Sequence, residues 1–389
     1  MRATGRTIRR TVAGEEIATF VPYPLPPRDP PLNADGALAA PLRRAEHALA
    51  RLEVAGEMVP SLDWFIYAFV RKEAVISSQI EGTQATLIDL LEYEAEQTTK
   101  VAGEDVHEVC NYLNAIKYAR GQIKSARGLP LSIRLLNEAH RRLMRGVRGA
   151  NKQPGEIRRN QNWIGGTRPG SAVFVPAPPE ELPALVADLE KYLHTESGLP
   201  PLVRIGLAHV QFETVHPYLD GNGRIGRLLI TLLLEHWKLL SAPLLYLSLF
   251  FKRHRAEYYR LLGEVRRSGD WEAWMVFFLE GVATIADEAV TAAREVFALI
   301  SADRRRLIAA PGASVMAVRL MDQLPTHPVV TIPTVVRLLK TTKPTAGKAV
   351  HLLENLGVLT ETTGKQRDRT FVYAGYLEKL RVGTEVDVG

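Results

Sequence analysis

Residues 216–227, HPYLDGNGRIGR, constrain the fold of this chain more than any other segment. A proline disfavours helical geometry in the residue before it, so the apolar helical stretch that leads into this segment must end at His216. Glycines 221 and 223 allow a tight turn, and a second strongly apolar stretch then predicts a helix from just beyond Gly223 to about Leu240. The segment therefore predicts two helices joined by a short loop.

This loop places reactive side chains beside the first turn of the second helix. Free backbone N–H groups at a helix start attract anions, and Arg224 and Arg227 project from nearly one side there. Two cations at that end are unfavourable unless an anion binds, which predicts a polyphosphate ligand. Asp220 supplies a carboxylate for a shared Mg²⁺, Asn222 a donor for a phosphate oxygen, and His216 a base that titrates near neutrality. A helix cap with these turns needs no ligand, so the order of the residues together carries the prediction.

The segment lacks the spacing of a Walker A loop or a dinucleotide fingerprint. It resembles the Fic motif, H-x-F-x-[D/E]-G-N-G-R-x-x-R, with Tyr218 where phenylalanine is usual. The resemblance also covers GEIRRNQNWIGG and YYRLLGEVRRSGDWEAW, and extends over roughly residues 15–380. It implies a nucleotidyltransferase, a protein adenylyltransferase that transfers AMP from ATP to a hydroxyl of a target protein and releases pyrophosphate.

The family implies a role for each motif position. The implied catalytic residues are His216, as the base for the target hydroxyl, with Asn222 and Arg224. Asp220 would hold Mg²⁺ between the α- and β-phosphates. Arg224 would bind the phosphates and Arg227 the γ-phosphate. The full set of implied nucleotide-binding residues is Gly221, Asn222, Gly223, Arg224, Arg227, Tyr258 and Tyr259. Core residues of an amphipathic helix would look like these two tyrosines, and His254 stands where relatives often carry asparagine. Gly223 replaces the lysine of the family's phosphotransferring branch, which favours AMP transfer.

A second element of the resemblance is a β-hairpin predicted at residues 161–176. The strand-forming stretches QNWI and AVFVP flank GGTRPGS there, inside an otherwise helical region. It resembles the family's flap, which binds an extended segment of the target protein by strand addition. The predicted flap residues are Trp163, Ile164, Gly165, Val173 and Phe174. An ordinary surface hairpin remains the alternative.

A third element is SSQIEG, residues 77–82, which resembles the family's inhibitory motif. Ser77 and Glu81 share a helical face, and Gly82 suits the left-handed residue that ends a helix. The family implies that Glu81 pairs with Arg227 and keeps the γ-phosphate from binding productively. In some relatives such a glutamate removes AMP, so the reverse reaction stays open.

The predicted fold is mostly α, a Fic-type helical domain with a β-hairpin flap and a C-terminal winged helix. Residues 1–36 are expected to form an extended arm, since PYPLPPRDPP excludes helix and central strand. Residues 37–125 are expected to form an N-terminal helical region, 126–300 the catalytic domain and 310–389 the winged helix. Four or five helices are predicted between residues 37 and 145.

Composition and charge narrow the setting and the partners. The 389 residues carry a net charge of +6, which favours acidic partners, and the single cysteine, Cys110, excludes an internal disulfide. With no signal peptide and no apolar run of about 20 residues, we expect a cytoplasmic protein without membrane contact. The expected partners are ATP and a target protein. Self-modification, a homo-oligomer and another nucleotide stay open. So does a DNA-binding regulator that uses basic residues of the winged helix (Lys340, Lys343, Lys348, Lys365, Arg367 and Arg369).

Overall fold

The structure, a computed structural model, describes residues 2–12, 14–57, 61–96, 103–365 and 367–386, so the last part of the predicted winged helix, 387–389, lies outside it. Helices dominate, as predicted. They are α1 (Ala39–Glu57), α2 (Leu62–Ile80), α3 (Leu87–Glu96), α4 (Glu104–Lys124), α5 (Ile133–Leu143), α6 (Leu182–His194), α7 (Pro201–Val215), α8 (Asn222–His236), α9 (Ser248–Arg253), α10 (Arg255–Ser268), α11 (Trp271–Ala309), α12 (Val315–Gln323), α13 (Ile332–Leu339), α14 (Lys343–Asn355) and α15 (Ala374–Arg381). The strands are β1 (Gly5–Val12), β2 (Glu15–Pro22), β3 (Val329–Thr331), β4 (Thr360–Glu361) and β5 (Thr370–Val372).

The expected extended arm of residues 1–36 is wrong over its first part. Strands β1 and β2 pair antiparallel, from Gly5 opposite Pro22 to Val12 opposite Glu15, and Gly14 has a φ of +81° in the turn between them. One face of β2 is buried through Ile17, Thr19 and Val21. The arginines of β1 conceal this hairpin in the sequence. The proline-rich residues 22–31 contain no helix, as expected, and only Pro22 belongs to a named strand, as the last residue of β2.

The helices begin and end where local chemistry dictates. Proline occupies the first position of α7, where no backbone donor is needed, and the helix ends before Pro217. The side chains of Ser132 and Asp270 accept hydrogen bonds from Leu135 and Ala273 and cap α5 and α11.

The helices α7 and α8 lie at the centre of the fold. Nearly all of α7 is buried, and α11 packs along α1. One continuous apolar core runs from Leu32 to Leu380 and includes residues of all three predicted helical regions. The boundaries at 126 and 310 therefore stay a prediction, because packing crosses both.

The C-terminal region contains three helices, α12 to α14, and a small sheet. The sheet has the order β3-β5-β4 and is antiparallel, with Val330 opposite Phe371. Helix α15 then returns to pack on α11, α2 and α3. These are the elements that the winged-helix prediction names, and membership of that class stays a prediction.

The predicted hairpin of residues 161–176 is narrower than expected. Its two sides meet in one antiparallel bridge, between Ile164 and Phe174, rather than along two full strands. Gly165 and Gly166 have φ values of +69° and +75°, and a 3₁₀ turn at Pro169–Ser171 fills the tip. These glycines and prolines interrupt ladder pairing, which explains the difference.

Among the described residues, no helix has the length and apolarity needed to cross a bilayer.

Candidate active site

The segment 216–227 forms the predicted helix–loop–helix. His216 ends α7 in a left-handed conformation, with φ +49° and ψ +62°, and its N–H donates to the Phe212 carbonyl at 2.9 Å. Gly221, with φ +77°, precedes α8. The helix begins at Asn222, so the prediction of a start beyond Gly223 is wrong, and so is its end near Leu240, because α8 stops at His236. Gly223 therefore lies in the first turn, where backbone donors face the ligand side.

Asn222 forms hydrogen bonds within the loop itself. Its Oδ1 accepts from the Tyr218 N–H at 2.9 Å, and its Nδ2 donates to the Tyr218 carbonyl at 2.8 Å. The side chain is 2% exposed. This amide holds the loop in shape, and its expected donation to a phosphate oxygen stays a prediction.

Tyr218, the departure from the family motif, is accommodated by a polar partner. Its hydroxyl donates to Asn137 Oδ1 at 2.8 Å, and its ring stacks on His140 with centroids 3.9 Å apart. His140 Nδ1 accepts from the Gly155 N–H, so its Nε2 carries the proton and donates to the Asp220 carbonyl at 2.9 Å. Burial lowers the pKa of His140 to about 4, which keeps this support neutral.

The imidazole of His216 is held neutral by its surroundings. Burial, and then the positive charge of Arg158, lower the pKa of His216 to about 3. Its Nδ1 has no hydrogen-bond partner among the described residues. A neutral imidazole can accept a proton, as a general base must.

Arg158 lies directly behind this histidine. Its Nε donates to the His216 carbonyl and its backbone N–H to the Pro217 carbonyl, both at 2.9 Å. The side chain is 1% exposed, and its other hydrogen bonds also go to backbone carbonyls. Burial lowers the pKa of Arg158 to about 10, so it stays charged at neutral pH. It fixes the loop and adds positive potential where an anion is predicted to bind.

Arg224 is bound to a carboxylate that the motif does not contain. Its Nη1 donates to Glu108 Oε2 at 2.9 Å, and the two side chains are 2% and 1% exposed. Burial raises the pKa of Glu108, although Arg224 and Arg148 oppose that shift. In this structure Arg224 is therefore held by α4 beneath the loop. Its expected phosphate contact remains a prediction.

Arg227 makes the contact with Glu81 that the resemblance implies. Helix α2 ends at Ile80, and Gly82 follows with a φ of +102°. The Nη2 of Arg227 donates to Glu81 Oε1 at 2.7 Å, while Nε and Nη2 donate to the hydroxyl and the carbonyl of Ser77, both at 2.8 Å.

Charge and burial distinguish this pair from an ordinary surface ion pair. The Arg227 side chain is 2% exposed and that of Glu81 30%. Burial acts against both charges, yet the pairing lowers the pKa of Glu81 and raises that of Arg227. A Cβ built on Gly223 would overlap Glu81 Oε1, so the carboxylate lies against the first turn of α8. It occupies the position in which that turn would receive an anion.

Asp220 fits a metal shared with phosphates better than a site built from protein ligands alone. Its side chain is 41% exposed, and Oδ1 accepts from the Gly221 N–H at 2.6 Å. Gly149 leaves room beside Oδ2, because a Cβ there would lie 2.6 Å away. The described residues contain no cluster of three metal-ligating side chains. One carboxylate with phosphate and water oxygens is a usual Mg²⁺ environment.

The two predicted aromatics of the nucleotide pocket have different surroundings. Tyr258 is 1% exposed, and its hydroxyl donates to His209 Nε2 at 2.8 Å. It is a core residue, so the prediction that it binds the nucleotide is wrong for this structure. Tyr259 is 43% exposed, and its role stays a prediction.

Glu108, His140, Asn137 and Arg158 are the site residues that sequence reasoning missed. They lie 58 to 116 residues from the loop partners they contact. Only Arg158 belongs to a stretch, GEIRRNQNWIGG, that the resemblance had singled out. For the others, an ordinary helical pattern gave no signal.

Two regions of the chain match families of known proteins. Residues 39–121 match the family described as Fic/DOC family N-terminal, and residues 130–234 match the Fic/DOC family. The chain therefore contains a region that matches the Fic/DOC family, preceded by one that matches that family's N-terminal region. It is similar to proteins named protein adenylyltransferase Fic from Drosophila willistoni (31% identical) and Drosophila erecta (30%), over 206 residues in each case. That match spans 52% of this chain and 38% of each relative, well under half of their length.

Solved structures show the same fold. A Fic family protein from Desulfovibrio desulfuricans G20 superposes with a TM-score of 0.57 at 22% identity and covers 89% of this chain and 98% of that one. A Fic-1 fragment from C. elegans gives a TM-score of 0.51 at 22% identity, with 67% of this chain and 74% of that one covered. At such identities the likeness concerns the fold alone.

Proposed function

We propose that this chain is an auto-inhibited protein adenylyltransferase that uses ATP. The observation that carries the proposal is the Glu81 carboxylate at the start of α8, bound to Arg227 at 2.7 Å. A helix N-terminus with a buried arginine beside it is a suitable binding site for a phosphate. Here the Glu81 carboxylate, an anion of the chain itself, takes that position. The names of the Drosophila relatives point to the same activity.

The chemistry begins with the neutral His216. A ring nitrogen of His216 accepts the proton of the target hydroxyl while the hydroxyl oxygen attacks the α-phosphorus of ATP. A new P–O bond forms, the bond from the α-phosphorus to the bridging oxygen breaks, and pyrophosphate leaves. Mg²⁺, held by Asp220 and the phosphates, would offset charge on the leaving group. The N–H groups of Asn222 and Gly223 would donate to phosphate oxygens, and that of Gly221 would join them on leaving Asp220 Oδ1.

Two arginines would share the remaining negative charge. Arg224, fixed by Glu108 under the loop, supplies a positive charge that needs no rearrangement. Arg227 would bind the γ-phosphate, but only after Glu81 leaves. Glu81 and the γ-phosphate are both anions that compete for one guanidinium. Nucleotide can therefore bind productively only when the Glu81 carboxylate has left Arg227.

The target protein would dock on the flap, defined by Trp163, Ile164, Gly165, Val173 and Phe174. Val173 is 85% exposed and Trp163 37%, so both can meet a partner. Main-chain pairing with an extended target segment would bring its hydroxyl towards His216. The chain itself is a further substrate that this arrangement allows.

The proposal is tested by incubating the purified protein with labelled ATP and Mg²⁺, with and without cell lysate, and identifying modified proteins by mass spectrometry. His216→Ala should abolish transfer and leave ATP binding largely intact, because a positioned base contributes roughly 10²- to 10⁴-fold in rate but little ground-state affinity. Asp220→Ala should weaken the Mg²⁺ dependence. Full activity of His216→Ala would contradict the assignment.

Three alternatives make different predictions. Removal of AMP from a modified protein would require Glu81, and use of another nucleotide would appear as label transfer from that nucleotide, because a phosphate loop does not read the base. A DNA-binding regulator would show steep salt dependence of duplex binding, lost in Arg367→Ala and Arg369→Ala. Lys343, Lys348 and Arg367 are exposed, which keeps this possibility testable.

A further inference from the structure

The N-terminal hairpin β1–β2 lies against the flap rather than apart from it. The Phe20 N–H donates to the Val175 carbonyl at 3.0 Å, and Phe20 and Pro176 form a parallel bridge. The rings of Phe20 and Phe174 are 6.4 Å apart. The hairpin therefore continues the flap on the side of residues 174–176.

Glu15 joins the turn end of this hairpin to the flap tip. Its Oε1 accepts from Arg168 Nη1 at 2.8 Å, and its Oε2 accepts from the Gly170 N–H at 2.6 Å. Gly170 lies in the 3₁₀ turn that forms the tip. A single carboxylate thus holds both a side chain and the backbone of the flap, at a point where the flap has only one internal bridge.

The opposite end of the hairpin is fixed to the body of the protein. Arg2 donates to the Gly269 carbonyl at 3.1 Å and pairs with Glu272 at 2.9 Å. The Thr4 hydroxyl donates to the carbonyl of Arg266, whose guanidinium lies 3.8 Å from the Phe174 ring centroid. The hairpin therefore contacts the end of α10 at one end and the flap at the other, and connects the two.

The N-terminal hairpin also determines which edge of the flap has backbone groups available to pair with another strand. Ile164 bonds to Phe174, and Val175 accepts from Phe20, so the second side of the flap is paired on both edges. In an antiparallel pair, neighbouring residues direct their N–H and C=O groups to opposite edges. Trp163, next to Ile164 on the extended side, consequently directs its N–H and C=O away from Phe174, to an incoming strand.

We propose that the N-terminal hairpin is a target-positioning element, anchored by Glu15, that holds the flap so that an extended target segment adds along Trp163–Gly165. This proposal rests on the proposed function, since it concerns the protein substrate of that activity. It assigns Glu15 a positioning role, because Glu15 would act through the flap and not on the reacting atoms.

The test compares Glu15→Gln and Arg168→Gln with the control Glu16→Gln, all in the Glu81→Gly background. Glu16 is the exposed neighbour of Glu15 on the same strand. Hydrogen exchange reports on the flap without any need for activity. We expect Gly170 and residues 164–175 to lose protection in both Glu15→Gln and Arg168→Gln and to keep it in the control.

The activity arm uses a dilution series of one cell lysate as the protein substrate. The half-saturating lysate concentration should rise at least threefold in Glu15→Gln and Arg168→Gln, while the dissociation constant of a non-hydrolysable ATP analogue stays unchanged. Unaltered exchange in the flap, or lost protection with unaltered half-saturation, would overturn the proposal. Absence of transfer from the Glu81→Gly parent would contradict the proposed function, and the exchange result would still decide whether Glu15 supports the flap.

Discussion

At the scale of single residues, His216 is the clearest case of a side chain whose ionisation is set by its surroundings. An ordinary histidine titrates near pH 6.5, but burial and Arg158 lower the pKa of His216 to about 3 in the unliganded protein. A base with a lowered pKa keeps its neutral, active form until the pH falls towards that value. Proton acceptance should therefore persist well below neutrality.

The resulting prediction concerns the pH profile of kcat/KM, which reports the ionisation of the free enzyme. Measured with Glu81→Gly at saturating Mg²⁺, kcat/KM should stay nearly level between pH 7.5 and pH 5.5. A histidine of ordinary pKa would lose about tenfold at pH 5.5. An acid limb centred near pH 6.5 would show that His216 is not held neutral in this way.

The pair of Glu108 and Arg224 leads to a prediction about stability. Removing one partner of a buried ion pair leaves an uncompensated charge, which typically costs about 3–5 kcal/mol. Glu108→Ala should lower the free energy of unfolding, measured by urea denaturation, by that amount. Glu104→Ala, at the exposed start of the same helix, should cost under about 1 kcal/mol. Equal effects of the two substitutions would mean that the pair contributes little.

At the scale of elements, the end of α2 is held from two sides. Arg227 binds Ser77 and Glu81 on one side. On the other, Gln79 donates to the Thr384 carbonyl and accepts from Lys252 Nζ, both at 2.9 Å. The segment after α15 is thus attached to the SSQIEG segment itself, 305 residues away in sequence.

We therefore expect Gln79→Ala to weaken the contact between Glu81 and Arg227 without removing it. The hydrogen bond to Thr384 is worth about 1 kcal/mol and the one from the Lys252 ammonium about 1.5–3 kcal/mol, so AMP transfer should rise several-fold and remain below that of Glu81→Gly. Initial rates with labelled ATP measure this. The exposed neighbour Gln84 gives the control Gln84→Ala, which should match the unaltered chain. A Gln79→Ala rate equal to both would show that the C-terminal segment does not support the motif.

Elements also show what the sequence could and could not predict. Helical spacing and the proline after His216 predicted the two central helices, because those signals are local. The hairpin β1–β2 was missed because its buried face is on one strand only and its partner strand is rich in arginine. The flap was predicted too long, since strand-forming residues on either side of its tip outweighed its glycines and prolines.

At the scale of the whole molecule, the limits of sequence reasoning follow from distance along the chain. The motif predicted that Glu81 would meet Arg227, 146 residues away, and the structure confirms that contact. It could not predict that Glu108 would bind Arg224 or that Asn222 would be used within the loop. Those contacts depend on how α4 and α5 pack against the loop, and no local pattern encodes that packing.

The whole molecule holds three regions in contact with one small site. Helix α2 brings the Glu81 carboxylate to Arg227, the N-terminal hairpin contacts the flap, and the C-terminal segment is bonded to the end of α2. The continuous core from Leu32 to Leu380 connects them. A change in any of the three regions should therefore alter transfer without touching His216 or Asp220.

The most direct test of this account is the rate of AMP transfer by Glu81→Gly beside that of the unaltered chain, to itself and to lysate proteins, with labelled ATP and Mg²⁺. Glycine removes the anion that competes with the γ-phosphate, so transfer should rise, and His216→Ala in the same background should abolish it. Arg227→Ala should not mimic this gain, because Arg227 is both the residue that binds Glu81 and the residue that would bind the γ-phosphate. Equal transfer by Glu81→Gly and the unaltered chain would contradict the inhibitory role, and loss of an AMP-removing activity in Glu81→Gly would instead assign Glu81 to hydrolysis.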